Sequence, residues 1–180
     1  MRVKLLLVAI LCSTALTVKA QSYSLRTNAL GLVTTNLNVE ASMTLNDKWS
    51  VHLPVQYNPF KFSSNRQFRN FYIAPGVRYW FLQSYIGGFV GIYGTAGTYS
   101  VGNLFGSQNR YEGEGYGLSV SVGRAYQLAK NWNIEWEIGA GAVWLNYDKY
   151  QCKRCGDLIS RNHGWSFWPT RAALNIVYLF

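Results

Sequence analysis

The sequence lacks any long apolar run beyond its first 20 residues. From residue 21 to residue 180, no stretch approaches the roughly 18 consecutive apolar residues that predict a membrane-spanning helix. The chain also contains no internal repeat, low-complexity tract or interdomain linker, and its length suits one domain. If the protein spans a membrane, it must do so with β-strands, because helices and closed barrels are the only two ways across.

Residues 1–20 have the pattern of a cleavable signal peptide. Arg2 and Lys4 precede an apolar run over residues 5–16, and small residues at Val18 and Ala20 fit cleavage before residue 21. We therefore predict a mature barrel domain over residues 21–180. Cys12 lies inside the apolar run, where Leu11 rather than a small residue precedes it, so we expect it to be removed. A lipid anchor at Cys12 is the alternative.

Acidic residues are scarce. Removing residues 1–20 takes away Arg2, Lys4 and Lys19, which lowers the 17 basic residues to 14, leaves the 8 acidic residues and gives a net charge of +6. A basic balance permits nucleic-acid binding. Secretion argues against that partner, and we expect none.

The mature sequence alternates apolar and polar residues at strand period. An apolar stripe that begins at Ala172 runs to the C-terminus, and we expect the outer-membrane barrel assembly machinery to recognise its last four members: Leu174, Ile176, Tyr178 and Phe180. Eight such segments are separated by turn signals: 25–33, 37–45, 49–57, 71–81, 86–99, 111–128, 132–144 and 165–180. The pattern predicts an all-β protein, an eight-stranded antiparallel up-and-down transmembrane β-barrel of OmpA/OmpX-like architecture.

Volume indicates which face of the strands is outside. An eight-stranded barrel has a narrow interior, and the large apolar side chains of eight strands would overfill it, so we expect that face to meet lipid. The polar face is rich in Gly and Ser. We expect two aromatic girdles, formed by Trp49, Phe81, Tyr85, Tyr126, Trp132 and Phe180 at one level and by Tyr57, Tyr99, Tyr111, Trp144, Tyr147 and Trp165 at the other. A soluble, lipocalin-like periplasmic barrel that binds a ligand is the alternative.

Connection lengths predict the orientation in the bacterial outer membrane. The turns near Asp47, Gln83 and Lys130 are short, whereas the connections around 58–68, 100–110 and 151–163 are long. Short turns face the periplasm and long loops face outward. Both termini are then periplasmic.

The polar face carries charged residues that we expect to meet in the lumen. They are Arg26, Glu40, Arg78, Glu135, Glu137 and Arg171. Buried charges require partners, and strand order places Arg171 near Glu135 or Glu137 and Arg26 near Glu40. We therefore predict an ion-pair network that plugs the lumen, with a gated or selective pore as the alternative. His52 is expected to be a hydrogen-bonding core residue.

The mature chain has one cysteine pair, Cys152 and Cys155, which in a secreted protein predicts a disulfide. A metal site formed by this pair with Asp157 and His163 is a weaker alternative. We expect neither a metal nor any other cofactor.

We do not expect the protein to be an enzyme. The alternative is an outer-membrane enzyme that modifies lipid A. Small outer-membrane barrels include enzymes that acylate or deacylate lipid A with a Ser/His pair and an acidic partner. The available residues are His163 and Ser166, with Asp157 or Glu112 as the acid. No motif supports this arrangement.

The predicted outer loops are basic. Their cationic residues are Lys61, Arg66, Arg69, Lys153, Arg154 and Arg161. Such side chains can contact the phosphates of lipopolysaccharide, or they can be ordinary solvated loop charges. Outer-membrane lipid and lipopolysaccharide are the partners that this pattern favours.

Several short motifs resemble a family of small outer-membrane barrels of unknown function from Bacteroides-type bacteria. The motifs are residues 26–28 (RTN), 36–40 (NLNVE), 48–50 (KWS), 78–81 (RYWF), 91–94 (GIYG), 133–135 (NIE) and 169–172 (PTRA). Members are often encoded near fimbrial genes. The resemblance implies a structural or surface-interaction role, with surface or fimbrial proteins as partners, and supplies no catalytic residues.

Overall fold

The computed structural model describes residues 22–60, 67–102, 109–150 and 158–180. The predicted signal peptide therefore lies outside the described residues. The described residues form a single sheet of antiparallel strands with one short helix. No helix among them combines the length and apolar character needed to cross a membrane.

Nine strands and one helix follow one another within the described residues. They are β1 (Tyr23–Asn28), α1 (Ala29–Val33), β2 (Leu37–Asn46), β3 (Trp49–Asn58), β4 (Gln67–Ile73), β5 (Gly76–Trp80), β6 (Gly87–Gly102), β7 (Arg110–Ala129), β8 (Trp132–Tyr150) and β9 (Leu158–Leu179).

The sheet closes on itself. Apart from β4 and β5, strands that are consecutive in the chain pair with each other. β4 and β5 share one place in the wall, where each pairs with β3 and β6, and β1 pairs with β9. The wall therefore has eight positions. The predicted eight-stranded, antiparallel, up-and-down barrel is confirmed.

The barrel closes with a large shift in register between its first and last strands. The register that starts at Val39 on β2 passes around the wall and arrives at Trp165 on β9. Glu40, beside Val39, pairs with Arg26, and Arg26 pairs with Val177, far along β9 from Trp165. Such a stagger is what strand tilt requires in a closed barrel.

Two predicted strands differ from the observed ones. The first was expected to continue to Val33, but it ends at Asn28, whose side-chain oxygen accepts a hydrogen bond from Leu30 N at 3.1 Å and caps α1. The fourth was expected to run unbroken over 71–81, but it is interrupted at Ala74 and Pro75. Proline has no N–H to donate to the ladder, so a strand in the wall breaks there.

The later strands are longer than predicted. β8 continues to Tyr150 rather than ending at Trp144, and β9 begins at Leu158 rather than Trp165. These extensions pair with each other, since Asn146 lies opposite His163 and Asp148 opposite Arg161. The wall is therefore taller at β7, β8 and β9 than at β1 and β2.

The barrel has an apolar exterior and a largely polar interior. Outward-facing Leu118 and Val120 are 68% and 62% exposed, whereas Ser119 and Ser121 between them are buried. The predicted faces of the strands are therefore observed. The girdle assignment was wrong for Tyr85, which is 3% exposed and lies inside the ring. It was also wrong for Tyr99, Tyr111 and Tyr147, which share the parity of lumen-facing residues on their strands.

The side chain of Asn28 bonds to β9 at the point where β1 ends. Its amide donates to Ala172 O at 3.1 Å, and its oxygen also accepts from Leu174 N at 3.1 Å. The side chain thus continues the ladder after β1 has stopped.

We expect Asn28→Ala to lower the free energy of unfolding by about 2 kcal/mol, because it removes a helix cap and two bonds across the β1 and β9 seam. Urea unfolding in detergent micelles, followed by tryptophan fluorescence, measures the change. Asn162→Ala is the control, since Asn162 is exposed and donates only locally to Ser160. Equal midpoints for the two variants would contradict this role.

Candidate functional site

The structure brings the six charged residues predicted to meet in the lumen into one cluster, which we call the lumen ion cluster. Its members are Arg26, Glu40, Arg78, Glu135, Glu137 and Arg171. Three guanidinium groups face three carboxylates, so the formal charges balance. All six side chains are at least 90% buried.

Glu137 lies at the centre of the cluster. Its Oε2 accepts from Arg78 at 2.7 Å and from Arg171 Nε at 2.6 Å, and its Oε1 accepts from Ser121 at 2.6 Å. Arg171 also pairs with Glu40. One carboxylate thereby connects β5, β7 and β9.

Glu135 makes the second junction. Its oxygens accept from Arg26 at 3.0 Å, from Arg78 at 2.8 Å and from the amide of Asn175 at 3.0 Å. Arg26 lies 3.6 Å from Glu40 as well. Arg78 therefore bridges both glutamates of β8, and the cluster spans the lumen rather than following neighbouring strands.

Glu40 continues the cluster toward β3. His52 Nδ1 lies 2.8 Å from Glu40, His52 Nε2 lies 2.7 Å from Ser50 Oγ, and Trp80 Nε1 donates to the same Ser50 oxygen at 2.7 Å. Both ring nitrogens of His52 are used in these two bonds. His52 is therefore a hydrogen-bonded core residue.

Aromatic rings complete the surroundings of the cluster. The guanidinium of Arg78 lies 4.3 Å from the centre of the Phe89 ring, and that of Arg171 lies 4.4 Å from the Tyr93 ring. The Tyr93 hydroxyl also accepts from Arg78 Nε. Cations over aromatic faces gain attraction without a counter-charge.

An apolar layer fills the lumen on the short-turn side of the cluster. It consists of Trp80, Tyr85, Phe89, Ala125, Val177 and Leu179. Trp80 packs 4.7 Å from Phe89 and 5.7 Å from Tyr85, measured between ring centres. Trp80 and Phe89 lie near the short turn between β5 and β6, so this layer occupies the end of the barrel opposite the long connections.

Open space lies on the other side of the cluster. A cavity of about 280 Å³, which we call the upper cavity, is lined by residues that include Gln56, Asn70, Tyr72, Thr95, Tyr99, Val143, Leu145, Trp168 and Thr170. A smaller cavity of about 90 Å³ continues from Gln56, Tyr72 and Thr170 down to Arg171. Along the lumen, the structure therefore passes from an apolar layer through the ion cluster to a polar cavity.

The remaining predicted site residues lie on the periphery or outside the described residues. Arg69 is exposed at the rim, and Arg161 lies 3.4 Å from Asp148 with its side chain 76% exposed. The other predicted basic loop residues, Lys61, Arg66, Lys153 and Arg154, fall outside the described residues, as do Cys152, Cys155 and Asp157. Within the described ranges, no three His, Cys, Asp or Glu side chains are grouped to hold a metal ion.

The suggested Ser/His pair does not assemble on β9. His163 is outward-facing and packs against the Trp144 ring, 5.8 Å away between centres. Ser166 lies opposite Val143, which lines the upper cavity, so the two side chains belong to opposite faces of the strand.

Several residues around the cluster were missing from the sequence prediction. Tyr93 and Ser121 bond Arg78 and Glu137 directly, whereas Ser50 and Trp80 are linked to the cluster through His52. Each lies at the lumen parity of its strand, so alternation marks it as inward-facing. Nothing in the spacing distinguishes it from other inward-facing polar or aromatic residues.

These features define a closed antiparallel barrel with an apolar outer surface and an ion-paired core. The chain belongs to a family described as Protein of unknown function (DUF3575), whose model matches residues 6–180. Comparisons with curated proteins and with solved structures found no match.

Replacing Glu137 with glutamine should destabilise the barrel by about 3 to 5 kcal/mol, because two buried guanidinium groups lose their shared counter-charge. Urea midpoints of the folded band in unheated gels measure this change. Glu114→Gln, which changes an exposed carboxylate bonded to Tyr116, is the matched control.

The double variant Glu137→Gln/Arg171→Met restores the balance of charges and should recover part of the loss. If Glu137→Gln shifts the midpoint no more than Glu114→Gln, the ion cluster does not hold the wall together.

Proposed function

We propose that this protein is an integral outer-membrane β-barrel of a Gram-negative bacterium, with a structural or surface-interaction role at the cell surface. The observation that carries this proposal is the closed ring whose large apolar side chains point outward and whose charged side chains point inward. Outer-membrane lipid and lipopolysaccharide are then its immediate surroundings, and the barrel assembly machinery inserts it.

The exterior supports a lipid environment rather than water. Outward-facing apolar side chains cover the wall on every strand, including Leu53, Val77, Ile92, Leu118 and Ile138. A monomer in water rarely exposes an apolar patch beyond a few hundred Å². A soluble periplasmic barrel would place these residues inside and the Arg and Glu side chains outside, which is the reverse of this arrangement.

The connections support an orientation. Short turns join β2 to β3, β5 to β6 and β7 to β8, and they share one end of the barrel with Tyr23 and Leu179. By the usual rule this end is periplasmic. The extended ends of β7, β8 and β9 then rise outside the membrane, where outward-facing polar residues such as Glu112, Asn146 and Asp148 replace the apolar ones.

We propose that the lumen is closed and that the protein does not act as a channel. The apolar layer and the ion cluster lie one above the other, and Trp80, Arg78, Phe89, Glu135 and Glu137 are all at most 1% exposed. An eight-stranded barrel leaves an interior that side chains fill. Interaction with other molecules is therefore expected at the outer end, where surface or fimbrial proteins are partners that the family resemblance suggests.

A charged residue introduced at the middle of the barrel wall tests whether the outer surface of the wall contacts lipid. In lipid vesicles, Val120→Arg should lower the free energy of unfolding by about 2 to 4 kcal/mol, the cost of a cation near the middle of the lipid. Asn146→Arg, on the outward face of the β8 extension, should change it by less than about 0.5 kcal/mol.

In cell fractions, the wild-type protein should need detergent for extraction from the outer-membrane fraction. Its folded form should migrate differently from the boiled form in gels. Release by a high-salt wash without detergent, together with a neutral Val120→Arg substitution, would indicate a soluble barrel instead.

If the lumen is closed, the protein should not conduct ions across a bilayer. Wild-type protein reconstituted into planar bilayers should give no steady conductance steps, because two layers of buried side chains obstruct the path. A 16-stranded porin reconstituted by the same procedure is the positive control. Steady ion channels from the intact wild-type protein would rule out the closed lumen and favour a selective pore.

A further inference from the structure

The upper cavity has two chemically different walls. Val143 and Leu145 of β8 and the ring of Trp168 on β9 form an apolar wall. Facing them across the lumen, β3, β4 and β6 contribute amides and hydroxyls, namely Gln56, Asn70, Tyr72, Thr95 and Tyr99. A ligand that fits this space needs one apolar face and several hydrogen-bonding groups on the other side.

The described walls of the cavity carry no charge. Among the described residues, none that lines the cavity is charged. The lumen ion cluster below it balances three guanidinium groups with three carboxylates, and each carboxylate contacts at least two of those arginines. A charged ligand would enter a partly desolvated space without a free counter-charge, which is costly. The site therefore favours an uncharged molecule.

The polar wall is already organised. The Gln56 amide donates to Asn70 Oδ1 at 3.0 Å, and the Asn70 amide donates to Asn36 Oδ1 at 2.9 Å. This chain fixes which atoms of the two amides face the cavity. Fixed polar groups reduce the entropy lost when a ligand binds.

Thr170 adds a buried hydroxyl that no described residue bonds. The register of β8 and β9 shifts between Gly139 opposite Arg171 and Ala140 opposite Pro169, so Thr170 is the extra residue of a β-bulge. Its Oγ1 is buried, lines both cavities and has no hydrogen-bond partner among the described residues. Buried hydroxyls are nearly always bonded, so rotation of the Thr170 side chain toward the cavity would give this hydroxyl a partner on a bound ligand.

We propose that the upper cavity binds a neutral pyranose unit of a glycan. A pyranose ring has an apolar C–H face that can stack on Trp168 and a rim of hydroxyls that can bond Gln56, Asn70 and Thr170. The volume of about 280 Å³ lies just below the roughly 300 to 1,000 Å³ typical of ligand sites. The site accordingly accommodates one or two sugar rings. The inference does not depend on the membrane assignment, because the cavity lies inside the ring.

The test uses the full-length protein in lipid nanodiscs on an array of neutral and anionic glycans. Binding to neutral pyranose-containing glycans is expected, with affinity measured afterwards by calorimetry. Free oligosaccharides in one arm and purified lipopolysaccharide in another distinguish a soluble sugar from a membrane glycan as the source. Soluble methyl pyranosides should compete in either arm.

Adjacent residues provide matched variants. Trp168→Ala should weaken binding about tenfold through loss of the stacking surface. Thr170→Val should weaken it about fivefold through loss of one hydrogen bond. Phe167→Ala removes a neighbouring aromatic that points outward and is 77% exposed, and it should leave the affinity unchanged. The gel shift of each variant verifies that the barrel has folded.

Three results would overturn the proposal: absence of binding to any neutral glycan, binding confined to anionic glycans, or equal loss of affinity in Phe167→Ala and Trp168→Ala. Each can occur while the protein still fractionates with the outer membrane. Conversely, glycan binding by a protein that a salt wash releases would leave this inference intact and reject the proposed location.

Discussion

The pairing of β1 with β9 is the constraint on which the rest of the structure depends. Once these strands pair, the sheet has no free side, and every strand must place half of its residues in a narrow interior. The interior cannot contain the Trp, Leu, Ile and Val side chains of eight strands. Most of them therefore occupy the exterior, and small or polar residues line much of the lumen. The apolar exterior and the polar core are two consequences of one closure.

Closure also explains why charged side chains fill part of the core. Arginine and glutamate are long enough to cross the lumen, so that Arg78 on β5 reaches both Glu135 and Glu137 on β8. Such groups are tolerated only when each charge is paired and its remaining hydrogen-bonding capacity is used. Ser121, Asn175 and Tyr93 meet much of this second requirement. The cluster thus ties opposite walls together in a way that neighbouring-strand pairs cannot.

Alternation in the sequence was sufficient to predict the barrel and the inward direction of all six charged residues. It could not predict which of them meet, because contacts across the lumen depend on the stagger of the closed sheet. Arg26, for example, pairs with Glu135, on a strand two places away, at a shorter distance than with Glu40 on the adjacent strand.

Local chemistry explains the errors. Pro75 and the cap at Asn28 were visible as breakers in the sequence, yet the apolar alternation around them suggested continuous strands. Tyr85 was assigned to a girdle because it is an aromatic residue next to the predicted start of a strand. Its backbone has a positive φ of 69°, which takes it out of strand alternation, so parity gives no information about the direction of its side chain.

The two halves of the lumen have different requirements, and the bulge at Thr170 lies between them. In the lower half, the apolar layer and the ion cluster bring almost every buried group into contact, which makes this half stabilising and intolerant of change. As far as the chain is described, the upper half contains open volume, ordered amides and a buried hydroxyl that no described residue bonds. An unpaired buried hydroxyl costs roughly 1 to 3 kcal/mol, a deficit that the lower half can offset. A barrel built in this way can keep its wall closed at one end while presenting a preorganised, uncharged recess at the other.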